Sequence, residues 1–336
     1  MSFVKSFNTV WISLTYDCNN KCEWCYAASN LEKNNKIFPV EKEEGTIDFL
    51  SSLGVKKIIL IGGEPTLYRN LGGLLEKIVN KEIKVGVISN GRKFSNRDFT
   101  KRIQKTGLDY LTISVCGPNA ESHDSVTKIK GSFNQSINGI ETAIEEGIHV
   151  ATNTVIGREN VYALNEMVDL LKGQQIKEMT FNICGVCASE DSNNSYLINP
   201  QEAVKAFEGV YSYAKSNGIR AKLVTPMPLC FFDKELLPEL KEKKLVSGGP
   251  CQLSSGKNFV IEYNGDIVPC THLAHFPMTN IFNPNGIIST EEFIREYNNP
   301  NKIPYQLREK IRRYPSTSVK NPNAVNHVLE DVPCIG

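Results

Sequence analysis

The sequence predicts an α/β fold organised around a parallel sheet. Between Val10 and residue 216, short apolar segments alternate with amphipathic segments six times. The apolar segments are rich in Val, Ile, Leu and Thr and almost continuously hydrophobic, as strands buried on both faces are. Alternating strands and helices favour right-handed crossovers between parallel strands. The pattern fits an open doubly wound sheet and a partial barrel equally well.

The predicted elements follow one another in a regular order. Strands are predicted at residues 10–16, 56–61, 83–89, 108–115, 148–156 and 178–183. Apolar residues at helical spacing predict helices around residues 71–79, 133–144 and 164–171. In both architectures, the loops that carry function follow the carboxyl ends of the strands.

The last helix of this series has clear boundary signals. Asn199 is a suitable cap, Pro200 suits the first helical position, and Glu202 is placed to reach back to the amide of the cap. Gly218 is suited to end the helix in a left-handed conformation. We therefore predict a first domain of residues 1–218 and a second of residues 219–336.

The pattern changes in the second domain. Two short apolar runs flank Asn264-Gly265, which predicts a tight hairpin with a type I′ turn. Two helices are predicted near residues 290–297 and 303–313. Because this segment has few apolar residues for its length, we expect a bound metal to help hold it together.

Composition excludes several classes of protein. The 336 residues include 38 Lys plus Arg and 37 Asp plus Glu, so the charge gives no indication of a nucleic-acid or membrane partner. The first residues lack the features of a signal peptide, and no apolar run approaches the roughly 18 residues of a membrane span. We expect a cytoplasmic protein. In that compartment disulfides are rare, so its ten cysteines point to metal binding or chemistry.

Three cysteines, Cys18, Cys22 and Cys25, follow the first predicted strand within the stretch TYDCNNKCEWCYAAS. They suit zinc with a fourth His or Asp ligand, or an iron–sulfur cluster. Structural zinc usually uses two CxxC pairs or a nearby histidine, and the nearest histidine in sequence is His123. A [4Fe–4S] cluster with three cysteine ligands keeps one iron open. The pattern therefore favours a cluster whose fourth site takes a substrate or cofactor.

The spacing Cys-x3-Cys-x-aromatic-Cys resembles the signature of the radical S-adenosylmethionine (SAM) enzymes, and further motifs of residues 10–216 resemble the same family. The resemblance implies a partial (β/α)6 TIM-like barrel in which the open iron binds the amino and carboxylate groups of SAM. It also implies that an electron from the cluster cleaves SAM to a 5′-deoxyadenosyl radical, which abstracts hydrogen from a substrate. The implied SAM-binding positions are Trp24, Gly62, Gly63, Glu64, Pro65, Ser89, Asn90, Ser114 and Asn153. Among them, Glu64 and the backbone beside it would take the SAM ammonium group.

A second resemblance concerns the C-terminal cysteines. Cys251, Gly265 and Cys270 are spaced as in the SPASM and twitch extensions, which hold auxiliary iron–sulfur clusters. Only Cys334 occupies the region where a SPASM domain has several closely spaced cysteines, so the shorter twitch-like form is favoured. The implied ligands of one auxiliary [4Fe–4S] cluster are Cys230, Cys251, Cys270 and Cys334. The alternative is a zinc site that includes Cys251 and Cys270.

Three residues are candidates for direct catalytic roles. Cys116 and Cys184 lie at the predicted carboxyl ends of the fourth and sixth strands, where a thiol could give a hydrogen atom to a carbon radical. Cys187 lies close by in sequence. The alternative for each is a buried core cysteine. Arg158, just after the fifth strand, is placed to bind a substrate carboxylate, or is a solvated loop charge.

Three functions are compatible with these features. We expect an enzyme that modifies a ribosomally synthesised peptide by crosslinking, thioether formation or epimerisation. The alternatives are a radical SAM dehydrogenase or mutase of a small metabolite such as a sugar or nucleoside, and a non-catalytic iron–sulfur carrier or sensor. The resemblance implies a reductant such as flavodoxin or ferredoxin. Because the barrel begins within about ten residues of the start, a peptide substrate would need a groove on the barrel or a separate leader-peptide-binding protein.

Overall fold

The computed structural model describes residues 4, 6–27, 36–184, 196–246, 255–274, 276–284 and 286–312. Within these ranges the predicted α/β fold is confirmed, since the six predicted strands all form and pair in parallel. The strands are β1 (Thr9–Ser13), β2 (Lys57–Ile61), β3 (Lys84–Ser89), β4 (Tyr110–Ser114), β5 (Val150–Ile156), β6 (Glu178–Ile183), β7 (Arg220–Leu223), β8 (Asn258–Ile261), β9 (Asp266–Val268), β10 (Thr279–Asn280), β11 (Phe282–Asn283) and β12 (Gly286–Ile287).

Helices connect the parallel strands and cover one face of the sheet. They are α1 (Glu43–Ser52), α2 (Leu71–Asn80), α3 (Arg97–Gln104), α4 (Ala120–Thr127), α5 (Ser132–Glu145), α6 (Leu164–Gly173), α7 (Pro200–Ser216), α8 (Leu237–Glu242), α9 (Thr290–Tyr297) and α10 (Ile303–Arg312). The predicted helices are confirmed, including the two near the end of the described chain. None of the helices in the described ranges combines the length and hydrophobicity that crossing a membrane requires.

The sheet continues beyond the six predicted units at both edges. Its order is β10-β9-β8-β1-β2-β3-β4-β5-β6-β7. Strand β7 extends the series beside β6, and β8 pairs in parallel with β1. Both added strands follow Gly218, so the segment after the sixth unit completes the wall of the partial barrel. The division into two domains at residue 218 stays a prediction.

The two faces of the sheet bury different side chains. Alternate residues such as Val10 and Ile12 on β1 pack into the large core under the helices. The opposite, inner face has an apolar part, where Ile59, Ile61 and Val260 form a separate cluster. Successive strand residues point to opposite faces, so the half-buried residues of β4 to β6 that alternate with core residues also lie on this inner face.

The structure confirms part of two predictions, the boundaries of α7 and the hairpin at Asn264-Gly265, and corrects the rest. Asn199 caps α7 by accepting from the amides of Gln201 and Glu202, and Gly218 has φ +71°, as predicted. The carboxylate of Glu202, however, accepts from the Tyr162 hydroxyl at 3.1 Å. The type I′ turn at Asn264-Gly265 is wrong. Only Gly265 of that pair has positive φ, and the amide of Glu262 bonds the carbonyl of Asp266 across a three-residue loop that ends in the left-handed glycine.

An aromatic cluster anchors the C-terminal helices to the sheet. The ring of Phe7, just before β1, lies 5.1 Å from those of Phe259 on β8 and Tyr297 on α9, and Phe293 joins the same cluster. The Asn298 side chain bonds both the amide and the carbonyl of Val4 at 3.1 Å. Aromatic packing of this kind contributes stability beyond the area it buries, and these rings belong to the large core under the helices, so the C-terminal helices are anchored to that core.

Candidate functional site

A loop of three cysteines begins directly after the carboxyl end of β1. We call residues 17–27 the cysteine loop. Its backbone is held from outside at several points, because the amides of Lys21 and Glu23 donate to the carbonyls of Thr127 (2.9 Å) and Val126 (3.0 Å) at the end of α4. These bonds give the loop a fixed course without contributions from the cysteine side chains.

The two glycines after β2 pack directly on the start of the cysteine loop. The amide of Gly63 donates to the carbonyl of Thr15 at 2.6 Å, and the amide of Glu64 donates to that of Asp17 at 2.8 Å. A Cβ atom on Gly62, which has φ +145°, would lie 2.2 Å from the Thr15 carbonyl oxygen. One on Gly63 would lie 2.5 Å from that of Asp17. Only glycine permits this approach of two backbones.

Glu64 ties the ends of β2 and β3 together. Its side chain is 1% exposed. Oε1 accepts from the Thr66 amide (3.0 Å), the Thr66 hydroxyl (2.7 Å) and the Ser89 hydroxyl (2.8 Å), whereas Oε2 accepts from the Asn90 amide (2.8 Å). Pro65 is buried and starts the short 3-10 turn Pro65–Leu67. The carboxylate is therefore first of all a link between loops, and only Oε2 keeps capacity for a ligand.

The loop after β3 reaches across to the residues between the first two cysteines. Asn90 donates from Nδ2 to Oδ1 of Asn19 at 2.6 Å. The Arg92 guanidinium donates to the carbonyl of Asn19 and, at 2.9 Å, to Oδ1 of Asn20. Sequence reasoning identified Asn90 but missed Arg92, although a cation directly after the Asn-Gly pair is visible in the sequence.

Trp24 packs the cysteine loop onto the ends of β4 and β5. It is 8% exposed and shares a cluster with Cys116, Cys184 and Tyr196. A Cβ atom on Gly157 would lie 3.1 Å from the Trp24 ring, so the indole rests on the backbone there. Both predicted catalytic thiols thus lie beside the cysteine loop.

Asn160, which sequence reasoning missed, joins the same strand ends. Its Nδ2 donates to the carbonyls of Cys116 (3.0 Å) and Val155 (2.8 Å), and its Oδ1 accepts from the Gly157 amide at 3.0 Å. The side chain is 1% exposed. These three bonds keep the ends of β4 and β5 in register next to Trp24.

Burial keeps the thiols of the site protonated in the metal-free protein. It raises the pKa of Cys18 to about 11, against the opposing effects of the Asn20 amide and Arg92. Burial, with the neighbouring Cys116 and Cys25 thiols, raises the pKa of Cys22 well above its usual value. Burial alone raises the pKa of Cys116 to about 12. Iron would offset this cost by binding the thiolate forms, so the donor set fits a metal cluster.

The donor geometry differs from that of a zinc site. Within the described ranges, no three histidine, cysteine or acidic side chains converge as one metal ion requires. A [4Fe–4S] cluster has no such requirement, because each cysteine binds a different iron. Burial lowers the pKa of His123 to about 4, and its Nδ1 accepts from the Cys116 amide at 3.2 Å. His123 is therefore a core residue of α4, with Nδ1 already in use.

A row of polar side chains lines the inner face opposite the cysteine loop. Ser114 on β4 lies in register with Asn153 on β5. Asn153 accepts from Nδ2 of Asn182 on β6 at 2.7 Å, and Asn182 accepts from the Thr225 hydroxyl at 3.2 Å. Asn182 and Thr225 were missed, although an asparagine inside the apolar strand EMTFNI is a signal that was available.

The C-terminal hairpin also contacts the residue directly before the cysteine loop. The Tyr16 hydroxyl donates to Oε2 of Glu262 at 2.6 Å, and burial raises the pKa of that carboxyl. Tyr26 donates from its hydroxyl to the carbonyl of Gly62 at 3.1 Å. Sequence reasoning gave no role to these three side chains, which connect residues on three separate segments.

The remaining predicted site residues are exposed or half-buried, or they fall outside the described residues. Arg158 is exposed, and its guanidinium donates to the Leu197 carbonyl at 3.2 and 3.3 Å. Cys230 is exposed on the short helix Leu229–Phe231, and Cys270 is half-buried after β9. The predicted residues that fall outside the described ranges are Cys187, Cys251 and Cys334.

The class that this part of the structure defines is an α/β partial barrel with three cysteines after β1 and a glycine pair packed against them. Residues 12–171 match the family model of the radical SAM superfamily. Over these residues the chain is similar to the radical SAM superfamily.

Curated relatives align with about half of the chain. Fe-coproporphyrin III synthase of Methanosarcina barkeri is 32% identical over 173 residues, which are 51% of this chain and 42% of that protein. GTP 3′,8-cyclase of Helicobacter pylori (strain HPAG1) is 29% identical over 177 residues, 51% of this chain and 53% of that protein. The chain therefore spans about half the length of these curated relatives.

Solved structures show the same fold over most of the chain. Streptococcus suis SuiB bound to its precursor peptide SuiA has a TM-score of 0.70 at 18% identity and covers 96% of this chain and 70% of that one. Native anSMEcpe with bound AdoMet has a TM-score of 0.67 at 18% identity, covering 89% and 82%. At this level of identity the likeness establishes the fold.

Proposed function

We propose that this protein is a radical SAM enzyme that holds a [4Fe–4S] cluster on Cys18, Cys22 and Cys25 and binds SAM at the open iron. The observation that carries the proposal is a cysteine loop with a fixed course, packed against Gly62 and Gly63. The Glu64 bonds, the Arg92 bonds and the Trp24 contacts hold this loop independently of the thiols, so the cluster ligands are positioned in advance.

The residues around the loop have distinct parts in this proposal. When bound, the cluster and SAM supply a reductive cleavage that yields a 5′-deoxyadenosyl radical for hydrogen abstraction. The backbone around Gly62 and Gly63, with Oε2 of Glu64, forms the side of the site where the SAM ammonium would bind. Ser114 and Asn153 lie on the inner face and supply polar groups for the rest of the ligand. Cys116 and Cys184 are buried with Trp24, and this packing would limit the access of water to a cluster held by the loop.

We extend the proposal to an auxiliary [4Fe–4S] cluster on Cys230, Cys251, Cys270 and Cys334. Cys270 lies two residues after the β8–β9 hairpin, whose Glu262 bonds Tyr16 directly before the cysteine loop. A cluster at the end of this hairpin would be well placed to accept the electron that remains after hydrogen loss. The reductant for the first cluster would be a flavodoxin or ferredoxin.

A ribosomally synthesised peptide is the substrate class that we propose. SuiB bound to precursor peptide SuiA, and anSMEcpe with the Kp18Cys peptide, share the fold over more than 90% of this chain. A separate leader-peptide-binding protein is a possible partner for such a substrate. Arg158 stays a candidate for a substrate carboxylate, and Cys116 and Cys184 for hydrogen donation.

The curated relatives favour a second candidate function on a small molecule. Several of them are named AdoMet-dependent heme synthase or GTP 3′,8-cyclase. A dehydrogenase or mutase of a small metabolite would use the same radical SAM domain. The two candidates differ in the substrate that the inner face accepts.

Anaerobic reconstitution with iron and sulfide tests the proposal. We expect about eight irons per chain for two clusters, about four if only the first cluster forms, and 5′-deoxyadenosine once SAM and a reductant are added. The electron paramagnetic resonance signal of the reduced protein should change on addition of SAM.

Two variants make this experiment specific. Replacing Cys18, Cys22 and Cys25 together with serine should remove the SAM-dependent signal, whereas Cys230→Ser should lose only auxiliary-cluster iron. The proposal is contradicted if the wild-type protein binds zinc at the cysteine loop, or if its electron paramagnetic resonance signal does not change when SAM is added. A signal that responds to SAM without any 5′-deoxyadenosine would favour a carrier or sensor.

A further inference from the structure

The polar row on the inner face contains a chain of hydrogen bonds whose direction can be deduced. It starts at the backbone N–H of Ile183, which can only donate and lies 2.9 Å from Oγ1 of Thr225. Because Thr225 accepts there, its single hydroxyl proton is available for Oδ1 of Asn182, 3.2 Å away. The Thr225 hydroxyl uses one lone pair for the Ile183 amide and its proton for Asn182, which places Oδ1 of the Asn182 side chain toward Thr225.

The direction passes on from Asn182 to Asn153. With Oδ1 turned to Thr225, Asn182 presents Nδ2 and donates to Oδ1 of Asn153 at 2.7 Å. The Thr180 hydroxyl has a single proton, which it shares between the Thr152 carbonyl at 2.9 Å and Oδ1 of Asn153 at 3.2 Å, so Asn182 is the main donor to this oxygen. Oδ1 of Asn153 is therefore engaged, and its Nδ2 has no acceptor in the described part of the chain.

Asn153 faces the interior of the barrel. Its neighbours on β5, Thr152 and Thr154, are 0% and 1% exposed, whereas Asn153 itself is half-buried. Since successive residues of a strand point to opposite faces, Asn153 lies on the inner face with its register partner Ser114.

We infer that Asn182 and Thr225 are positioning residues that lock the Asn153 amide with its N–H donors toward the ligand. This subsite therefore takes an acceptor group of the ligand, a carboxylate or hydroxyl oxygen or a ring nitrogen. The identity of that ligand as SAM, which carries all three, rests on the proposed function. Thr225 follows β7, so the segment after Gly218 sets the hydrogen-bond polarity of a subsite inside the barrel.

Asn182→Asp is the variant that reverses this arrangement. Its carboxylate accepts from Thr225 but has nothing to donate to Asn153, so the Asn153 amide should turn and present Oδ1 to the ligand. We expect the dissociation constant of SAM for the reconstituted protein to rise by about tenfold or more, at unchanged cluster content. Thr225→Val should also weaken binding, and Thr225→Ser should restore it. Asn138→Asp adds the same charge on an exposed face of α5 and should leave the constant unchanged.

A second measurement tests the arrangement without any ligand. In side-chain ¹H–¹⁵N spectra of the cluster-free protein, the amide protons of Asn182 should exchange slowly with water and those of Asn153 rapidly. In Asn182→Asp, the Asn153 protons should become protected. If the wild type binds no SAM, the proposed function fails, and these spectra still decide the inference. Equal SAM affinity of wild type and Asn182→Asp, or protected Asn153 protons in the wild type, would overturn it.

Discussion

Glu64→Gln tests whether Glu64 stabilises the protein by linking the ends of β2 and β3, or acts only in ligand binding. The substitution keeps the size and shape of the side chain but replaces one carboxylate oxygen with an NH2 group. Oε1 can retain its three donors from Thr66 and Ser89, so the new Nε2 must take the place of Oε2. There it faces the Asn90 amide, which donates to Oε2 at 2.8 Å in the wild type.

The expected cost follows from these contacts. One charge-assisted hydrogen bond is lost, and two buried N–H donors are left facing each other. An unsatisfied buried polar group costs about 1–3 kcal/mol, so we expect the free energy of unfolding of the cluster-free protein to fall by about 2–4 kcal/mol. Urea unfolding followed by circular dichroism measures this change.

The control for this experiment is Glu44→Gln, which removes the same charge on an exposed position of α1. It should change the free energy of unfolding by less than about 0.5 kcal/mol. If Glu64→Gln is as stable as this control, the linking role of Glu64 is refuted. The carboxylate would then act only when a ligand is present.

Further predictions concern other parts of the structure. Gly63→Ala should prevent the cysteine loop from closing, because its Cβ would lie 2.5 Å from the Asp17 carbonyl oxygen, and iron content after reconstitution should drop sharply. Asn199→Ala should lower the free energy of unfolding by about 1 kcal/mol, because the cap bonds of α7 are lost. An unchanged free energy of unfolding in urea would contradict this role. In cluster-free protein, alkylation of Cys18 followed by mass spectrometry should accelerate up to a pH of about 11, because the raised pKa keeps the thiol protonated below it. A plateau near pH 9 would show that Cys18 is not buried as described.

The sequence carried enough information to predict the strands, and to single out the three cysteines and the glycine pair of the site. Each strand is a continuous apolar segment bounded by polar residues, so its position depends on local properties only. The three cysteines and the two glycines lie in short motifs that can be read from neighbouring residues alone. The contact of the glycines with Thr15 and Asp17, which explains why glycine is needed there, is visible only in the structure.

The residues that were missed act through distant partners. Arg92 bonds Asn20, 72 positions away, and Tyr16 bonds Glu262, 246 positions away. No local pattern in the sequence marks such a pair, because Arg, Asn, Tyr and Glu are each also common at ordinary surface positions. The type I′ turn failed for a related reason. The Asn-Gly pair was read as a two-residue loop, whereas the cross-strand bond between Glu262 and Asp266 closes a loop of three.

The contacts of the C-terminal segment explain why the barrel site depends on more than its six strand–helix units. Strand β8 covers the edge of β1 that the six-unit pattern leaves open, and a free edge of this kind would expose unpaired backbone groups next to the cysteine loop. From the same segment, Glu262 bonds Tyr16 directly before the cysteine loop, and Thr225 bonds Asn182 on the neighbouring strand β6. The segment therefore contacts the site from both edges of the sheet. A change in this segment, such as binding of an auxiliary cluster at Cys270, would act on the geometry of the site through these contacts.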